Sequence, residues 1–446
     1  MRDLIVILCV IALVPMALAR PWIGLLGYTL IGFWNPHKFT WTLQNFRIAL
    51  LVGGATLVGL AVTRDRKSIP WTRELVLMLL LAVYFVFTTL FAWSPGAAYE
   101  QLDRVLRIYF MTFIMGVLIF GARKIRGLLW ALILGVGFFG VKGGIFALQT
   151  GGQLYVLGPE STFLEANTAL GLAFNMILPL LLCLAQEQKI KWRQLAVYGA
   201  AFLTMIATVF TYSRGAWIGL AAILALSVIR MKRGLLVGVA LALVGVVGIG
   251  FVPDKVFNRA ETIGNYEEDN SAMTRVQAWS VAWHLALQKP LTGGGFDYET
   301  GVDPDRWLAY ADRKYDVQGS TPRAAHSIYF QVLGQHGFLA LGLFLALLAC
   351  TMRSYSEIYK KTRGSPEWEW MGDYARALQT GMIGFLISGS FLNLAYFDLV
   401  YLYIGLVPIM KRELFTPALA PVPPNVSRSV RPITNPESLP GDSVSG

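Results

Sequence analysis

Long apolar stretches recur along most of the chain, and they limit its possible folds more than any other feature. Many windows of about 20 residues contain almost no charge, and a helix of that length crosses the hydrocarbon core of a bilayer. Apolar residues form 55% of the 446 residues, whereas charged residues form only 15%. The sequence therefore predicts an all-α polytopic membrane protein.

The predicted spans follow from these windows. They are 4–19, 22–34, 48–63, 75–93, 105–121, 127–147, 167–185, 194–211, 215–229, 234–252, 327–350, 376–394 and 397–410. The first two are short, so one of them is taken as a half-length or interfacial helix, and we predict about 12 transmembrane helices. The first run lacks both a small-residue cleavage site and a soluble domain behind it, which favours a helix over a removable signal.

Basic residues are concentrated in every second connection. The clusters are Arg64, Arg66 and Lys67; Arg123, Lys124 and Arg126; Lys189, Lys191 and Arg193; Arg230, Lys232 and Arg233; Lys360, Lys361 and Arg363; and Lys411 and Arg412. The positive-inside rule makes these connections cytoplasmic, so the alternate connections are predicted on the outer face. The net charge of +11 then reflects orientation in a phospholipid membrane. It does not indicate nucleic acid, since no aromatic–basic binding module accompanies it.

Four regions are predicted along the chain. Residues 1–252 hold the first ten or so transmembrane helices, 253–326 form a long loop domain on the outer face, and 327–412 hold the last transmembrane helices. The tail at 413–446 is rich in Pro, Ser and Asn. Such a segment cannot bury enough apolar surface to fold, so a disordered cytoplasmic tail is expected.

Arg214 is the most unusual charged residue, because it lies in a tight outer turn between two apolar runs. A cation at the mouth of a membrane hairpin is unfavourable unless an anion compensates it, so it indicates a functional site. A purely structural membrane scaffold would not keep this residue uncompensated.

Arg275 is the second candidate and lies in the long loop. A helix is predicted at 272–288, with Asn270 and Ser271 as capping residues. Arg275 is then expected in the first turn, where free backbone N–H groups and a guanidinium together suit a phosphate. The alternative is a surface ion pair. Its partner would be one of the acidic residues Glu267, Glu268 and Asp269.

His326 is the third candidate, at the point where the loop re-enters the membrane. A histidine there is neutral near pH 7 and able to accept a proton from a hydroxyl group. His336, further along the same span, could equally be a packed core histidine. His284 is predicted on the surface of the loop helix.

Other polar residues are predicted on the same side. Lys142 lies between glycines inside a span, where it needs an anion, unless its side chain extends to the interface. Supporting roles are considered for Arg104, Arg107, Asn167 and Asp398. The two arginines could instead pair with Glu100 and Asp103, and Asp398 could pair with a cation or orient the histidine.

Metal-ligand patterns are missing from the sequence. Asp303 and Asp305 have the spacing of a metal-binding pair, but they lie in the middle of the loop beside Arg306 and favour a turn. The cysteines all lie in apolar spans and form no CxxC or Cys/His cluster, so the sequence indicates neither a disulfide framework nor a zinc site. They are Cys9, Cys183 and Cys350. We therefore expect no metal and no cofactor. A lipid pyrophosphate would be neutralised by Arg and Lys directly, and the histidine would activate an attacking hydroxyl.

Several motifs resemble a known family. They are Thr211-Tyr212-Ser213-Arg214-Gly215; Thr274-Arg275 through Trp279 to Pro290-Leu291-Thr292-Gly293-Gly294-Gly295; His326-Ser327 followed by Gly337; Trp34-Asn35-Pro36-His37-Lys38; and Gly143-Gly144 through Gly158-Pro159 to Asn167 and Pro179. Their order, spacing and sidedness resemble the bacterial O-antigen ligase and O-antigen polymerase superfamily. Within it, the chain is similar to the exosortase-associated O-glycosylation ligases. The resemblance extends from the start to about residue 410.

The resemblance implies a GT-C-like glycosyltransferase of the bacterial inner membrane that is metal-independent and inverting. Glycan would move from undecaprenyl pyrophosphate to a lipid A–core sugar hydroxyl at the periplasmic face. His326 would be the base, and Arg214 and Arg275 would hold the pyrophosphate, with Lys142 added on the basis of its placement. Alternatives with the same donor are a protein O-oligosaccharyltransferase and an O-antigen polymerase. A lipid-linked glycan transporter is an alternative of another class.

Overall fold

The computed structural model describes residues 2–230, 270–312 and 321–415, and these residues form helices joined by loops. The helices before the first gap are α1 Arg2–Ala19, α2 Pro21–Trp34, α3 Ile48–Val62, α4 Arg73–Thr89, α5 Pro95–Leu118, α6 Gly121–Gln149, α7 Asn167–Glu187, α8 Lys191–Val209 and α9 Arg214–Arg230. The helices after it are α10 Asn270–Gln288, α11 Pro304–Leu308, α12 Ile328–Thr362, α13 Glu369–Gly389 and α14 Asp398–Phe415. A 3₁₀ turn, Pro36–Phe39, follows α2.

Four of the described helices are long and apolar enough to cross a membrane, namely α1, α6, α7 and α12. Two others, α3 and α9, are apolar but shorter. The chain is thus a helical membrane protein. The count of about 12 spans stays a prediction, and the apolar run expected at 234–252 lies outside the described residues.

Helix α7 forms the centre of the bundle and packs against α6, α8, α9 and α13. Its residues from Ala169 to Leu181 are all buried. The Asn175 amide donates hydrogen bonds to the Ala216 carbonyl at 2.8 Å and to the Ser388 hydroxyl at 3.0 Å. Because a buried polar group without a partner is costly, these bonds fix α9 and α13 against α7.

The basic clusters that the structure describes gather at one end of the bundle, here called the basic end; Lys232 and Arg233 lie outside the described residues. Lys124 pairs with Asp65 at 2.9 Å, and Arg126 pairs with Glu187 at 3.1 Å. Arg412 donates to the carbonyls of Ser68 and Ile119 in the connections before α4 and α6, and to the carbonyl of Gly116 at the end of α5 at 2.8 Å. These contacts show that connections distant in sequence, each with its own basic cluster, lie side by side.

The alternate connections meet at the opposite end, here called the loop end. The Trp93 amide donates to the Gly294 carbonyl at 2.8 Å. The side-chain amide of Asn167 donates to the Thr211 carbonyl at 2.7 Å. The rings of Phe163 and Phe397 pack with centroids 5.7 Å apart. For the connections that the structure describes, the predicted division into two sets thus corresponds to two ends of the bundle.

A kink in α12 builds part of the loop end. Gly337 has a φ of 77°, in the left-handed region that favours glycine. A Cβ atom at this position would overlap the Pro290 carbonyl oxygen. The kink leaves the carbonyls of Gly334 and Gln335 free to accept bonds from the amides of Gly294 and Gly295, at 2.9 and 2.8 Å. The loop after α10 is thereby fixed to α12.

Candidate active site

His326 occupies a strained position just before α12. Its φ is 48°, which is uncommon for a residue other than glycine and is frequent at functional sites. Its neighbours Ala325 and Ser327 are buried, whereas His326 is exposed. The Trp279 indole donates to the Ala325 carbonyl at 2.6 Å and stacks on Phe330. Helix α10 therefore holds the backbone in the shape that presents the imidazole at the surface.

Two arginines act on His326. Although part of the ring is exposed, desolvation by the surrounding protein, followed by the charges of Arg275 and Arg323, lowers the pKa of the imidazole below its ordinary value of 6.5. Desolvation and nearby cations both disfavour the protonated form. His326 is therefore neutral at pH 7 and able to accept a proton.

Arg275 lies two residues further into its helix than the sequence predicted, because the helix begins at Asn270 and not at 272. Because α10 already includes Asn270, Arg275 is in the second turn and not in the first. The free N–H groups of a helix belong to its first turn, so the prediction that Arg275 stands among them is wrong. The acidic residues considered as its partners lie outside the described residues. Its proximity to His326 is what the structure adds.

The tight turn before Arg214 is confirmed, since α8 ends at Val209 and α9 begins at Arg214. Tyr212 adopts a φ of 55°, and its hydroxyl donates to the Gly152 carbonyl at 2.5 Å. Asn167, considered for a supporting role, holds the turn through its bond to the Thr211 carbonyl. These bonds fix the point from which the half-buried Arg214 side chain projects.

The end of α13 links Arg214 to His326. A Cβ atom at Gly215 would lie 3.2 Å from both Ser388 and Phe391. A Cβ atom at Gly389 would lie 2.8 Å from Ile328. The residue after Arg214 and the second residue after His326 thus pack against the same helix end. The Arg214 turn and the His326 loop thus meet the same end of α13, and Arg275 lies within electrostatic reach of His326.

The other predicted residues have different surroundings. The Lys142 ammonium lies 4.5 Å from the centre of the Phe39 ring and near Arg2, so its described contacts are with the N-terminal segment. Arg107 pairs with Asp103 on the same helix. Arg104 pairs with Asp398 at 3.4 Å, so Asp398 contacts a cation, the first of its two expected roles.

His336 is a core residue, which confirms the packed alternative. It is completely buried between the rings of Phe85 and Phe296, with centroids 4.4 and 4.3 Å away. Its Nδ1 lies 2.7 Å from the Thr88 hydroxyl.

The Asp303 carboxylate accepts a bond from the Asp305 amide at 3.1 Å and caps α11. The expected turn is therefore confirmed at this pair. Among the described residues, no group of three or more His, Cys, Asp and Glu side chains could hold a metal ion.

One acidic pair escaped the sequence analysis. Burial and the nearby Asp297 raise the pKa of Glu299 to about 7. Gln335 donates to Asp297 at 3.2 Å and accepts from the Tyr396 hydroxyl at 2.8 Å. The sequence signal that could have revealed this pair is its position just after the glycine run at 293–295. The glycine run docks against α12, and this docking brings Asp297 and Glu299 into the bundle.

Family comparison places these three side chains in one matched segment. Residues 199–345 match the family model described as O-antigen ligase. This segment belongs to the O-antigen ligase superfamily. It includes Arg214, Arg275 and His326, and the match supports a ligase- or polymerase-type function for a multi-pass membrane protein. Residues 1–189 match a second model, described as a family of unknown function (DUF5935). The comparison with curated proteins finds no match. The O-antigen ligase segment and the second family thus divide most of the chain between them.

Proposed function

We propose that the protein is a glycan ligase. It transfers O-antigen polysaccharide from undecaprenyl pyrophosphate to a sugar hydroxyl of lipid A–core, at the periplasmic face of the bacterial inner membrane. Two observations support the proposal. Gly215, next to Arg214, and Ile328, two residues after His326, pack against the same end of α13. The charge of Arg275 acts on His326, and all three candidate residues lie inside the segment that matches the O-antigen ligase model.

The orientation follows from the two ends of the bundle. The basic end holds the clusters that the positive-inside rule assigns to the cytoplasm. The loop end, which carries Arg214, Arg275 and His326, then faces the periplasm. There the donor would keep its polyprenyl chain in the membrane, its pyrophosphate at headgroup level and its glycan in the periplasm.

The arginines would bind the pyrophosphate. A guanidinium matches phosphate oxygens with two parallel hydrogen bonds and keeps its charge at every physiological pH. Charge grows on the departing pyrophosphate as the sugar–phosphate bond breaks, so fixed cations stabilise the transition state more than the bound donor. Arg214 and Arg275 suffice for this role in the proposed mechanism, and Lys142 is left out because it lies over Phe39.

His326 would be the general base. Its lowered pKa keeps the imidazole neutral, so one ring nitrogen can take the proton of the acceptor hydroxyl. The acceptor oxygen bonds to the anomeric carbon as the bond from that carbon to the pyrophosphate oxygen breaks. Attack from the side opposite to the leaving group inverts the anomeric configuration. Undecaprenyl pyrophosphate leaves as the anion, and no step of this mechanism uses a metal.

Reconstitution with several acceptors tests the proposal. The purified protein in nanodiscs would receive a lipid-linked glycan and, in separate reactions, lipid A–core, a Ser/Thr peptide or a second lipid-linked glycan, each with a chelator. We expect transfer to lipid A–core, and none by His326→Ala. Transfer to the peptide alone would indicate a protein O-oligosaccharyltransferase, and extension of the second glycan alone would indicate a polymerase. Movement of the donor across a membrane without transfer would indicate a transporter.

A further inference from the structure

A polar cavity lies at the loop end, and all of its lining residues are outside the O-antigen ligase segment. Its volume is about 620 Å³, within the usual range for ligand sites. The connection between α2 and α3 forms one wall, and α5 and α14 contribute to the other. The polar residues used here are Asn35, His37, Lys38, Arg47, Arg104 and Asp398. We call this cavity the outer pocket.

The outer pocket carries an excess of positive charge. Three of its side chains are cations, and Asp398 is its one carboxylate, paired with Arg104 at 3.4 Å. Lys38 and Arg47 therefore have no carboxylate partner among the residues that line the pocket. His37 is only 9% exposed, and its Nδ1 has no hydrogen-bond partner among the described residues. A buried polar atom without a partner is costly, so a phosphate group fits both the charge and the unused nitrogen.

An apolar slot adjoins the outer pocket and shares Phe163 and Asp398 with it. The slot has a volume of about 80 Å³ and lies between α2, α3, α5 and α14. It would take part of one hydrocarbon chain. The rest of such a chain would continue over Leu50 and Leu51, which are 59% and 44% exposed on α3. A cationic pocket above an apolar slot suits a lipid with a phosphorylated headgroup better than free phosphate.

The loop at 390–397 separates this pocket from the candidate active site. At its start, Phe391 contacts the position of Gly215, next to Arg214. At its end, Phe397 packs on Phe163, and Asp398 follows in the wall of the outer pocket. The pocket and the active site therefore lie on two sides of one short loop, at the same end of the bundle.

We propose that the outer pocket and its slot bind the lipid that accepts the glycan. The assignment to the acceptor rests on the proposed function, in which a ligase must hold two lipids at once. The donor pyrophosphate has Arg214 and Arg275, so the separate cations Lys38 and Arg47 serve the phosphate of the second lipid. Lipid A is a phosphorylated glycolipid and has both the headgroup and the chains that this site fits.

Two substitutions test the pocket, each with a matched control. Gly32 lines the slot, and a Cβ atom there meets no heavy atom within 4 Å, so Gly32→Leu would direct a side chain into the slot from a Cβ position that is open. Gly54→Leu is its control, since Gly54 has the same open space on α3. Arg47→Gln removes a pocket cation. Arg363→Gln, at an exposed position of the basic end, is its control.

Binding is measured without donor, on the full chain in nanodiscs, with lipid A–core and with phosphatidylglycerol as separate probes. We expect Gly32→Leu and Arg47→Gln each to weaken binding of lipid A–core roughly tenfold, as expected for one lost charge-assisted bond or an equivalent apolar contact. Both controls should bind like the unsubstituted protein. Binding of the lipid-linked donor, measured separately, should be unchanged in all four variants.

Unchanged binding of lipid A–core in both pocket variants would overturn the inference, even if glycan transfer were normal. Weaker binding of phosphatidylglycerol alone would also overturn it, because the site would then hold bulk phospholipid. Weaker binding of lipid A–core by a protein that transfers no glycan would support the pocket and contradict the proposed function.

Discussion

Two histidines ten positions apart have opposite surroundings. His336 is enclosed by Phe85 and Phe296 and bonded to Thr88, with no exposed surface. His326 is exposed, has a left-handed backbone and lies near Arg275. The first fixes α12 to α4, and the second presents a proton acceptor beside cations. The contrast shows that the role of a histidine is set by what the fold packs around it, which neither residue type nor position in a span reveals.

The largest effect is expected from His326→Ala. Removing a general base slows a reaction by about 10²–10⁴-fold, so glycan transfer should fall by that factor. The melting temperature should stay close to that of the unsubstituted protein, because the side chain is exposed. Transfer rates and thermal unfolding of the same preparation check both statements. Full activity in this variant would contradict the role of His326 as the general base, and with it the contrast with His336.

Arg275→Gln and Arg214→Gln come next. Losing one charge-stabilising donor lowers the rate by about 10²-fold or more, so kcat/KM for the donor should fall accordingly. Arg306→Gln is the matched control, since Arg306 is an exposed cation of the same loop that lies over Trp93. Steady-state kinetics at varied donor concentration measure this loss in kcat/KM. Equal losses in all three variants would point to general charge attraction in place of a specific clamp.

His336→Ala should affect stability and leave chemistry intact. Truncating a large buried side chain leaves a cavity and costs about 3 kcal/mol, and Thr88 loses its partner. Thermal unfolding should therefore occur at a clearly lower temperature, while activity per folded molecule remains. A stable but inactive His336→Ala protein would reverse the assignment of the two histidines.

The smallest effect is a shift in pH dependence. The pKa of His326 is lowered by desolvation and by the charges of Arg275 and Arg323, so transfer should be lost as the pH falls through a pKa that lies below 6.5. Arg323→Gln removes one cation and raises this pKa toward 6.5. The acid limb of kcat/KM should then move to higher pH, with little change on the plateau. If the acid limb of kcat/KM stayed at the same pH in Arg323→Gln, a group other than His326 would be responsible for it.

Much of the fold was predictable because a bilayer requires long apolar helices, and these leave a plain pattern in sequence. The hairpin before Arg214 was predicted on that basis and is confirmed. The helix near Arg275 was predicted from its capping residues and helical spacing, and it is present from Asn270 to Gln288. The kink at Gly337 was not, because its cause is a distant loop at 290–295 whose amides bond to α12. Sequence periodicity carries no information on such a pairing.

The candidate site was predictable in part. Exposed cations on one side indicated Arg214, Arg275 and His326, yet Lys142 faces Phe39 because helix rotation is set by packing. The pair of Arg104 and Asp398 joins residues 294 positions apart, and only the fold brings them together. Asp297 and Glu299 looked like solvated loop acids, but docking of the glycine run buries them.

The most direct test is an experimental structure of the protein in nanodiscs with bound undecaprenyl pyrophosphate. We expect the guanidinium nitrogens of Arg214 and Arg275 within about 2.7–3.2 Å of the pyrophosphate oxygens, with the His326 imidazole facing the acceptor side. A pyrophosphate held by Lys38, Arg47 and Arg104, away from His326, would contradict this account.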